Sequence, residues 1–482
     1  MKLGVFVLAV VCCLLCTAEE DRYVSPALYR RPTYSLFQST PEVVDLAVLD
    51  VQKAFQSSAV AQCPWLVYLY DDGCGHCRST APTLTALAQE SAGPDSNVSF
   101  VVFGSLNCAE FPDECVRQDV LDVPRYVLLV PRGANGGGKD TKWLGDLEVV
   151  PLDNSEKGLT KIREQLNEKW SVLVAELDWS ERKQEHCGQV ASYFHEMKRQ
   201  WSADFPTEKT KFVEETKLYF ADIANAFFYT MYHEVTAVKE VHGESRVALL
   251  NFLRLVKTAL PHLRSDPLYE VVRSSDHISD ALWRAQVLQA AIPIEGSPQN
   301  MTWRTCRGSA WMYRGFPCGL WLLYHALSVN SDPNTSDVLL VIKEYARFFF
   351  NCRPCREHFM RFKPDKVSHP VLQLWRVHNV VNHHLAKVTE GADPLVPKVF
   401  FPSKELCPHC YKDGEAVDED KVLSYLKQRY GRDNMLGYND KGKKEEVEFS
   451  FFFWLLLIAV AVSVTVLYRQ RKRRRFFSFK TS

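Results

Sequence analysis

Three pairs of cysteines, each separated by two residues, are the side chains of this sequence best suited to chemistry: Cys74–Cys77, Cys352–Cys355 and Cys407–Cys410. Two thiols at this spacing close into a disulfide and reopen, so each pair can hold and pass on two electrons. One such pair indicates an oxidoreductase. Several pairs in differently built surroundings predict a relay of electrons within one chain.

The first pair lies between a strand pattern and a helix pattern. The apolar run Trp65–Tyr70 is typical of a strand buried on both faces, and residues 78–88 read as a helix. A thiolate at a helix start is stabilised by unpaired N–H groups and by the helix dipole. We therefore expect Cys74 to be the exposed, attacking sulfur and Cys77 the resolving sulfur. His76, between them, disfavours a closed and inert disulfide.

A static disulfide or half of a zinc site is the alternative for this first pair. A zinc site wants a second pair about 15–20 residues away, and no Cys-x-x-Cys follows at that distance. The remaining pairs, Cys352–Cys355 and Cys407–Cys410, are separated by about fifty residues, much more than in a zinc ribbon. No metal site is predicted.

A second cluster of candidate residues surrounds Cys352–Cys355. Trp321 and His325 are four residues apart and share a helix face. Downstream, an aromatic ring, an imidazole and two amides recur at helical spacing on one stripe: Trp375, His378, Asn379 and Asn382. Taken singly, these tryptophans and histidines are more typical of a protein core. Together they form a planar, polar stripe that suits a nucleotide, and Lys398 can meet a phosphate.

Export and membrane signals flank the chain. Residues 1–18 read as a signal peptide, and residues 449–468 are an uncharged apolar run long enough to span a bilayer. The basic run RQRKRRR follows at once and predicts a short cytoplasmic tail. Twelve of the 15 cysteines remain after the signal, in a compartment that permits disulfides. The predicted glycosylation sequons are at Asn97, Asn300 and Asn334.

The net charge of zero conceals an uneven distribution. The tail, residues 469–482, holds seven basic residues, which leaves 51 basic against 58 acidic residues in the remainder. The part before the tail is therefore mildly acidic, and its composition does not indicate nucleic-acid binding.

Residues 41–150 resemble a thioredoxin domain of the protein disulfide isomerase type. The Val123-Pro124 bond falls where that fold has its cis-proline, so Pro124 is expected to be cis. The resemblance implies that the Val123 backbone pairs with a substrate strand beside Cys74. Arg125 departs from the small hydroxyl residue usual after this proline.

Later motifs resemble the flavin-binding Erv-type sulfhydryl oxidase domain. They are Arg314 to Cys318, Trp321 to His325, Cys352 to His358 and Trp375 to Asn382. Their order after a thioredoxin domain and a helical region, before one apolar span, is similar to the quiescin sulfhydryl oxidase family in its short, single-thioredoxin form. The implied fold class is an α/β thioredoxin fold, an all-α region, an Erv-type helical bundle and one transmembrane helix.

This resemblance implies a domain organisation for the whole chain. The expected segments are a signal peptide (1–18), a thioredoxin domain (41–152), a degenerate Erv-like region (159–290), an Erv-type domain (300–412), a stalk (413–448), a transmembrane helix (449–468) and a basic tail (469–482).

The resemblance also assigns roles to residues. Cys355 would lie against the flavin, and Cys352 would be the distal sulfur that exchanges with the thioredoxin domain. The FAD contacts it implies are Arg314, Trp321, His325, His358, Trp375, His378, Asn379, Asn382, Lys398 and Phe401. Phe401 replaces a usual tryptophan, and Pro354 replaces a usual polar residue. The implied structural disulfides are Cys108–Cys115, Cys306–Cys318 and Cys407–Cys410. Cys63 and Cys187 remain either free or bonded to each other.

The function implied is that of an FAD-dependent thiol oxidase. It would take electrons from reduced protein thiols in the secretory pathway and give them to O2, which yields H2O2. The thioredoxin domain would swing on residues 153–158, and the protein would be a monomer anchored by one helix. Two rival hypotheses are a membrane-anchored disulfide isomerase without flavin and an adhesion-type ectodomain held by six disulfides.

Overall fold

The computed structural model describes residues 35–46, 54–55, 60, 62–93, 101–117, 120, 122–131, 147–176, 181–202, 213, 215–298, 300–332, 337–363, 369–387, 392–412 and 416–439. The predicted signal peptide, membrane span and basic tail lie outside these residues, as do Asn97 and Asn334. Within the described ranges, no helix combines the length and the apolar character that a membrane crossing needs. Residues 436–482 form a second unit, of which the first four are described.

The first part of the chain forms one five-stranded sheet. Its strands are β1 (Val44–Asp45), β2 (Trp65–Tyr70), β3 (Val102–Asn107), β4 (Arg125–Pro131) and β5 (Leu147–Val150). They lie in the order β1-β3-β2-β4-β5, with β1, β3 and β2 parallel and β4 and β5 antiparallel to their neighbours. Strand β2 has the predicted bounds and is buried at all six positions. This central place explains its unbroken apolar run.

Helices cover both faces of the sheet. Those of this part are α1 (Gly75–Ser91), α2 (Pro112–Arg117), α3 (Glu156–Thr160), α4 (Ile162–Glu176) and α5 (Glu181–Ser202). The Tyr68 hydroxyl on β2 donates to the Cys77 carbonyl of α1 at 2.9 Å. On the other face, the ring of Trp65 packs edge-on against Phe194 of α5, with centroids 5.7 Å apart. Because side chains alternate along a strand, one strand anchors both layers.

Helix α5 belongs to the thioredoxin part of the molecule. A disulfide joins Cys187 on α5 to Cys63 before β2, which answers the question that the sequence left open. The buried Lys198 ammonium lies 3.5 Å from the Asp45 carboxylate and donates to the Val43 carbonyl at 2.6 Å. The predicted helical region beginning at residue 159 therefore contributes its first helices to the thioredoxin core.

The predicted hinge at residues 153–158 is wrong. The Asn154 side chain is bonded to both the N–H and the carbonyl of Tyr126, at 2.6 and 3.1 Å. Gln165 bonds the backbone of Asp153 and Gly158, and a β-carbon on Gly158 would lie 2.1 Å from the Asp153 carbonyl oxygen. This segment is held on the sheet and on α4, so it does not provide a hinge between the thioredoxin part and the later helices.

Removal of the Cys63–Cys187 disulfide is expected to destabilise this unit strongly. The bridge closes a separation of 124 residues, and its loss in a Cys63→Ser, Cys187→Ser double variant should cost about 3–5 kcal/mol, since longer closed loops restrict the unfolded chain more. Urea denaturation followed by circular dichroism measures the loss. The control is Cys108→Ser, Cys115→Ser, which opens a separation of 7 residues and should cost about 2 kcal/mol. An equal or smaller loss for the long-range pair contradicts the expectation.

The remainder of the first unit is helical. Its helices are α6 (Phe220–Tyr229), α7 (Gly243–Ala259), α8 (Asp266–Ser274), α9 (Asp280–Gln289), α10 (Gly315–Asn330), α11 (Val338–Phe349), α12 (Arg353–Met360), α13 (Pro370–Leu385) and α14 (Glu419–Tyr430). Short two-stranded ladders join Glu240–Val241 to Ile278–Ser279, Gly296–Ser297 to Asn300–Met301 and Tyr411–Lys412 to Ala416–Val417. A π-helical turn, Thr230–Glu234, extends α6. The predicted order of a thioredoxin fold followed by helices is confirmed.

Candidate redox and flavin site

Cys74 and Cys77 are present as thiols at the start of α1. Cys74 is the residue that caps this helix, and its Sγ accepts the Cys77 N–H at 3.3 Å. A backbone N–H of the first turn of α1 therefore points at the Cys74 sulfur. Burial raises the pKa of the Cys77 thiol well above its usual value, with further effects from the neighbouring Cys74. Cys77 is therefore a neutral thiol in this structure.

The prediction that Cys74 is exposed is wrong for this structure. Its exposed fraction is 6%, and Cys352 and Cys355 pack in the same apolar cluster. Residues 351–355 of the helical part cover this sulfur. A large molecule from solution can therefore reach Cys74 only when the two parts separate.

The second dithiol is oxidised and lies at the start of α12. Cys352 and Cys355 form a disulfide, with Cys352 almost fully buried and Cys355 half-buried. Helix α12 begins directly after Cys352, so this pair repeats the helix-start placement of the first pair. Pro354 occupies the first turn, where its missing N–H costs no hydrogen bond.

The backbone beside Pro124 holds the residues on both sides of Cys352. The Val123 N–H donates to the Asn351 carbonyl at 3.0 Å, and the Arg353 N–H donates to the Val123 carbonyl at 3.2 Å. Val123 and Cys352 thus form a parallel bridge, and the Val123-Pro124 peptide bond is cis. The strand that pairs with this loop is part of the same chain.

His76 reaches across the contact between the two parts. Its Nδ1 lies 3.2 Å from the Cys355 Sγ and 3.7 Å from the Cys352 Sγ. A reduced dithiol, an oxidised disulfide and an imidazole are therefore assembled in one buried place. Such an arrangement can carry out thiol–disulfide exchange, which requires a thiolate, an acceptor sulfur and a stabilised leaving sulfur.

A buried carboxyl of the thioredoxin part contacts the helical part next to this site. The Tyr229 hydroxyl donates to Asp71 Oδ1 at 2.5 Å. Burial, and then the charge of Asp72, raise the pKa of Asp71 to about 7. Glu234 lies at the far end of the π-helical turn, where burial and the charge of Asp71 raise its pKa well above the usual range.

Ion pairs add to the contact between the two parts. Arg356 on α12 lies 3.5 Å from Asp122, which precedes Val123. Arg284 on α9 pairs with Asp113 on α2. A small cavity of about 20 Å³ lies between the surfaces around Asp71, Val123 and Asn351. The contact is closely packed and charge-matched.

The predicted flavin residues form an aromatic cluster. The rings of Trp321 and His378 stack at 4.0 Å with 6° between their planes, and His325 Nε2 lies 3.0 Å from His378 Nδ1. Burial lowers the pKa of His325 to about 3 and that of His378 well below its usual value, so both imidazoles are neutral at pH 7. The Phe401 ring lies near both imidazoles, with its centroid 5.5 Å from that of His378 and 5.8 Å from that of His325.

The two predicted amides hold a loop. Asn379 is bonded to both the N–H and the carbonyl of Phe401, each at 2.7 Å, and Asn382 donates to the Val399 carbonyl at 3.1 Å. The Trp375 indole N–H also donates to the Phe401 carbonyl. These side chains fix the position of residues 399–401. Trp375, Asn379 and Asn382 would therefore affect a bound nucleotide indirectly, by positioning residues 399–401.

Positive charge converges beside the aromatic cluster. The Lys398 side chain reaches solvent, yet protein surrounds its ammonium closely enough to lower its pKa to about 8, and the charges of Arg314 and Arg78 contribute. Within the described part of the chain, the buried Nδ1 of His325 makes no hydrogen bond. Clustered cations, neutral rings and an unused ring nitrogen fit a dinucleotide, whose pyrophosphate would relieve the repulsion.

His358, the last of the predicted flavin residues, lies between the two parts. Its ring is 5.0 Å from His384 and 6.2 Å from His76. The structure thus brings the histidine after Cys355 to the side of the site that faces the thioredoxin part.

The other predicted disulfide pairs are bonded. Disulfides join Cys108 to Cys115, Cys306 to Cys318 and Cys407 to Cys410. Cys407–Cys410 is buried within its own loop, and the exposed His409 has its Nε2 3.4 Å from the Cys407 Sγ. The sequence analysis did not identify Asp71, Tyr229, Glu234 or the contact of His76 with Cys355. For Asp71, the sequence offers one signal, which is an acidic pair (Asp71-Asp72) directly after a buried strand.

Three family models match consecutive parts of the chain. They are described as Thioredoxin (residues 47–142), Quiescin sulphydryl oxidase pseudo-Erv domain (219–304) and Erv1 / Alr family (318–399). The pseudo-Erv match begins after α5, in agreement with the packing of that helix on the sheet. Matched in this order and joined through a disulfide-exchange geometry, these domains define a thioredoxin–Erv fusion protein.

Curated sulfhydryl oxidases are similar to this chain. Sulfhydryl oxidase 2 of Homo sapiens is 29% identical over 264 residues, which cover 46% of this chain and 36% of that protein. Sulfhydryl oxidase 1 of Cavia porcellus is 31% identical over 254 residues, 47% of this chain and 41% of that protein. The match thus spans well under half of either relative. The chain belongs to the quiescin sulfhydryl oxidase family.

A solved structure is also similar. The sulfhydryl oxidase fragment of human QSOX1 superposes with a TM-score of 0.43 and 28% sequence identity, over 46% of this chain and 99% of the fragment.

Proposed function

We propose that this protein is an FAD-dependent thiol oxidase that introduces disulfides into protein clients of the secretory pathway. The observation that carries the proposal is the pairing of Val123 with the residues flanking Cys352. A thioredoxin fold holds its substrate strand at this loop, and here the strand belongs to the Erv-type domain. The second dithiol is thus bound as an internal substrate of the first.

The proposed relay begins when a client thiolate attacks the oxidised Cys74–Cys77 pair. The client leaves as a disulfide, and Cys74 and Cys77 are left as thiols. After docking, the Cys74 thiolate attacks the Cys352 Sγ, the Cys352–Cys355 bond breaks, and Cys355 leaves with the electron pair. Cys77 then loses its proton and attacks Cys74, which releases Cys352. Two electrons have moved from the first pair to the second.

FAD fits the aromatic and cationic cluster as the acceptor beyond Cys355. Arg314 and Lys398 would hold the phosphates, and Trp321, His325, His358 and His378 would surround the rings, with Trp375, Asn379, Asn382 and Phe401 supporting the loop. The bound flavin would supply the two-electron chemistry that ends with O2 and yields H2O2. The protein contributes a dry, ordered cluster in which neutral imidazoles do not add further positive charge.

The remaining parts of the proposal concern the setting of this activity. We propose a signal peptide, one membrane span at residues 449–468, lumenal catalytic domains, a basic cytoplasmic tail and glycosylation at Asn97, Asn300 and Asn334. Asn300 is exposed, as an acceptor must be. The proposed clients are reduced protein thiols, and the proposed state is a monomer. The proposed domain limits are unchanged, except that helices α3–α5 move with the thioredoxin domain.

A visible absorption spectrum of the purified protein tests the function. We expect visible flavin absorption bands that bleach under argon when dithiothreitol is added, and oxygen consumption when air is admitted. A colourless protein that exchanges disulfides without consuming oxygen would instead support the flavin-free isomerase. A Trp321→Ala, His378→Ala double variant provides the comparison. It lacks the stacked pair of rings and is expected to lose the flavin absorption bands.

A further inference from the structure

His76 is placed to act on the second dithiol as well as on its own. Its Nδ1 lies 3.2 Å from the Cys355 Sγ, closer than to the Cys352 Sγ at 3.7 Å. A disulfide sulfur carries no proton, so in this contact only the imidazole N–H can donate. The closer sulfur is the one that must leave as a thiolate when Cys352 is attacked.

The rest of the contact fixes this geometry. His76 sits in the first turn of α1, two residues after Cys74, and its carbonyl accepts the hydroxyls of Ser79 and Thr80 at 3.0 and 2.8 Å. The Val123 backbone holds Asn351 and Arg353, the two neighbours of Cys352 in the chain. The imidazole therefore approaches Cys355 from one element while the Pro124 loop presents Cys352 from another.

We propose that His76 is a catalytic residue of the exchange between the two dithiols, where it selects Cys355 as the leaving sulfur. This inference rests on the proposed relay. When the Cys74 thiolate forms its bond to the Cys352 Sγ, the electron pair of the broken disulfide goes to the Cys355 Sγ. The Nδ1–H of His76 donates a hydrogen bond to that developing thiolate. No external oxidant or reductant takes part, because electrons pass only from Cys74 to Cys355.

The same contact gives the exchange a direction. Attack on Cys355 would make Cys352 the leaving sulfur, which lies farther from His76 and is nearly fully buried. A thiolate formed there would have a weaker donor and little solvent. His76 thus favours attack on Cys352, so that Cys355, which lies within α12, is the first sulfur to be reduced.

A full-length Cys77→Ser protein tests the proposal, because it stops at the first exchange. After brief reduction of Cys74 and rapid desalting, we expect a Cys74–Cys352 mixed disulfide, identified by peptide mass mapping, with Cys355 alkylated by iodoacetamide. Adding His76→Gln should slow its formation on the order of 100-fold, as loss of an acid–base group does. It should also raise the share of Cys74–Cys355 product.

A matched histidine provides the control. His409 has its Nε2 3.4 Å from the Cys407 Sγ, so His409→Gln removes a similar contact at a disulfide outside the relay. This variant should keep the parent rate and product ratio.

Three outcomes separate the inference from the proposed function. If Cys77→Ser forms no mixed disulfide at all, both the relay and the role of His76 are overturned. If it forms and His76→Gln changes neither the rate nor the ratio of sulfurs, only the role of His76 is overturned. If His76→Gln alters only the glutathione redox equilibrium of Cys74–Cys77, measured in a Cys352→Ser, Cys355→Ser protein, then His76 serves its own pair alone.

Discussion

A Cys74→Ser variant is expected to oxidise a reduced protein substrate at least about 1,000-fold more slowly than the parent, because the nucleophile of the exchange is gone. The same variant should still consume oxygen with dithiothreitol at a rate within about tenfold of the parent. Dithiothreitol is small enough to reduce Cys352–Cys355 directly once the two parts separate, whereas a folded client depends on the thioredoxin surface. Oxygen uptake with each substrate measures both rates.

The control for this prediction is the third pair. Cys407→Ser, Cys410→Ser should leave both rates nearly unchanged, because this disulfide is buried in its own loop, outside the site. Undiminished protein oxidation by Cys74→Ser would remove the first dithiol from the relay. A large loss of turnover in the Cys407 and Cys410 variant would assign that pair a role in it.

Docking of the two parts should weaken as the pH rises from about 4 to about 7. Burial, to which the helical part contributes by covering this carboxyl with Tyr229, raises the pKa of Asp71 from its ordinary 3.8 to about 7, so the protonated carboxyl favours docking. The contribution of Asp71 to docking is fully present below the pKa of the undocked carboxyl. It declines as the pH rises and is lost once the pH passes the pKa of the docked carboxyl. Exchange protection of the Val123 and Arg353 amides, which bond across the contact, measures docking after correction for intrinsic rates.

Asp71→Asn tests this pH dependence, since an amide imitates the neutral carboxyl. The variant should dock at least about tenfold more strongly than the parent at pH 7.5 and equally well near pH 4. Glu90→Gln is the matched control, because Glu90 is exposed and pairs with Arg163 away from the contact. If the protection of Val123 falls with pH as steeply in Asp71→Asn as in the parent, another group controls docking.

Local features of the redox site were predictable from the sequence. Trp65–Tyr70 has the predicted bounds because a central strand is apolar at every position, and Cys74 caps α1 because the strand–turn–helix pattern places it there. The prediction for Asn379 reached the correct helix face but not the partner. Both amide atoms bond Phe401, which is 22 residues away in sequence.

Contacts between distant segments were not predictable from periodicity. Tyr229 bonds Asp71 across 158 residues, and Cys187 bonds Cys63 across 124. No local pattern encodes which segments meet. The hinge prediction failed for the same reason, since the sequence does not show that Asn154 bonds Tyr126 or that Gln165 of α4 bonds Gly158.

The Cys63–Cys187 disulfide also sets the concentration at which the two redox partners meet. Because it fixes α5 to the sheet, the covalent link between the two parts runs from Ser202 to Lys217, whose carbonyl accepts a hydrogen bond from Thr305. A chain of that length reaches at most roughly 50 Å when fully extended. The meeting of Cys74 with Cys352 is therefore intramolecular, and short links between two sites give effective concentrations on the order of millimolar. In the proposed relay, the internal transfer would then be first order and unaffected by dilution, so the turnover of a scarce enzyme would depend on how often it meets clients.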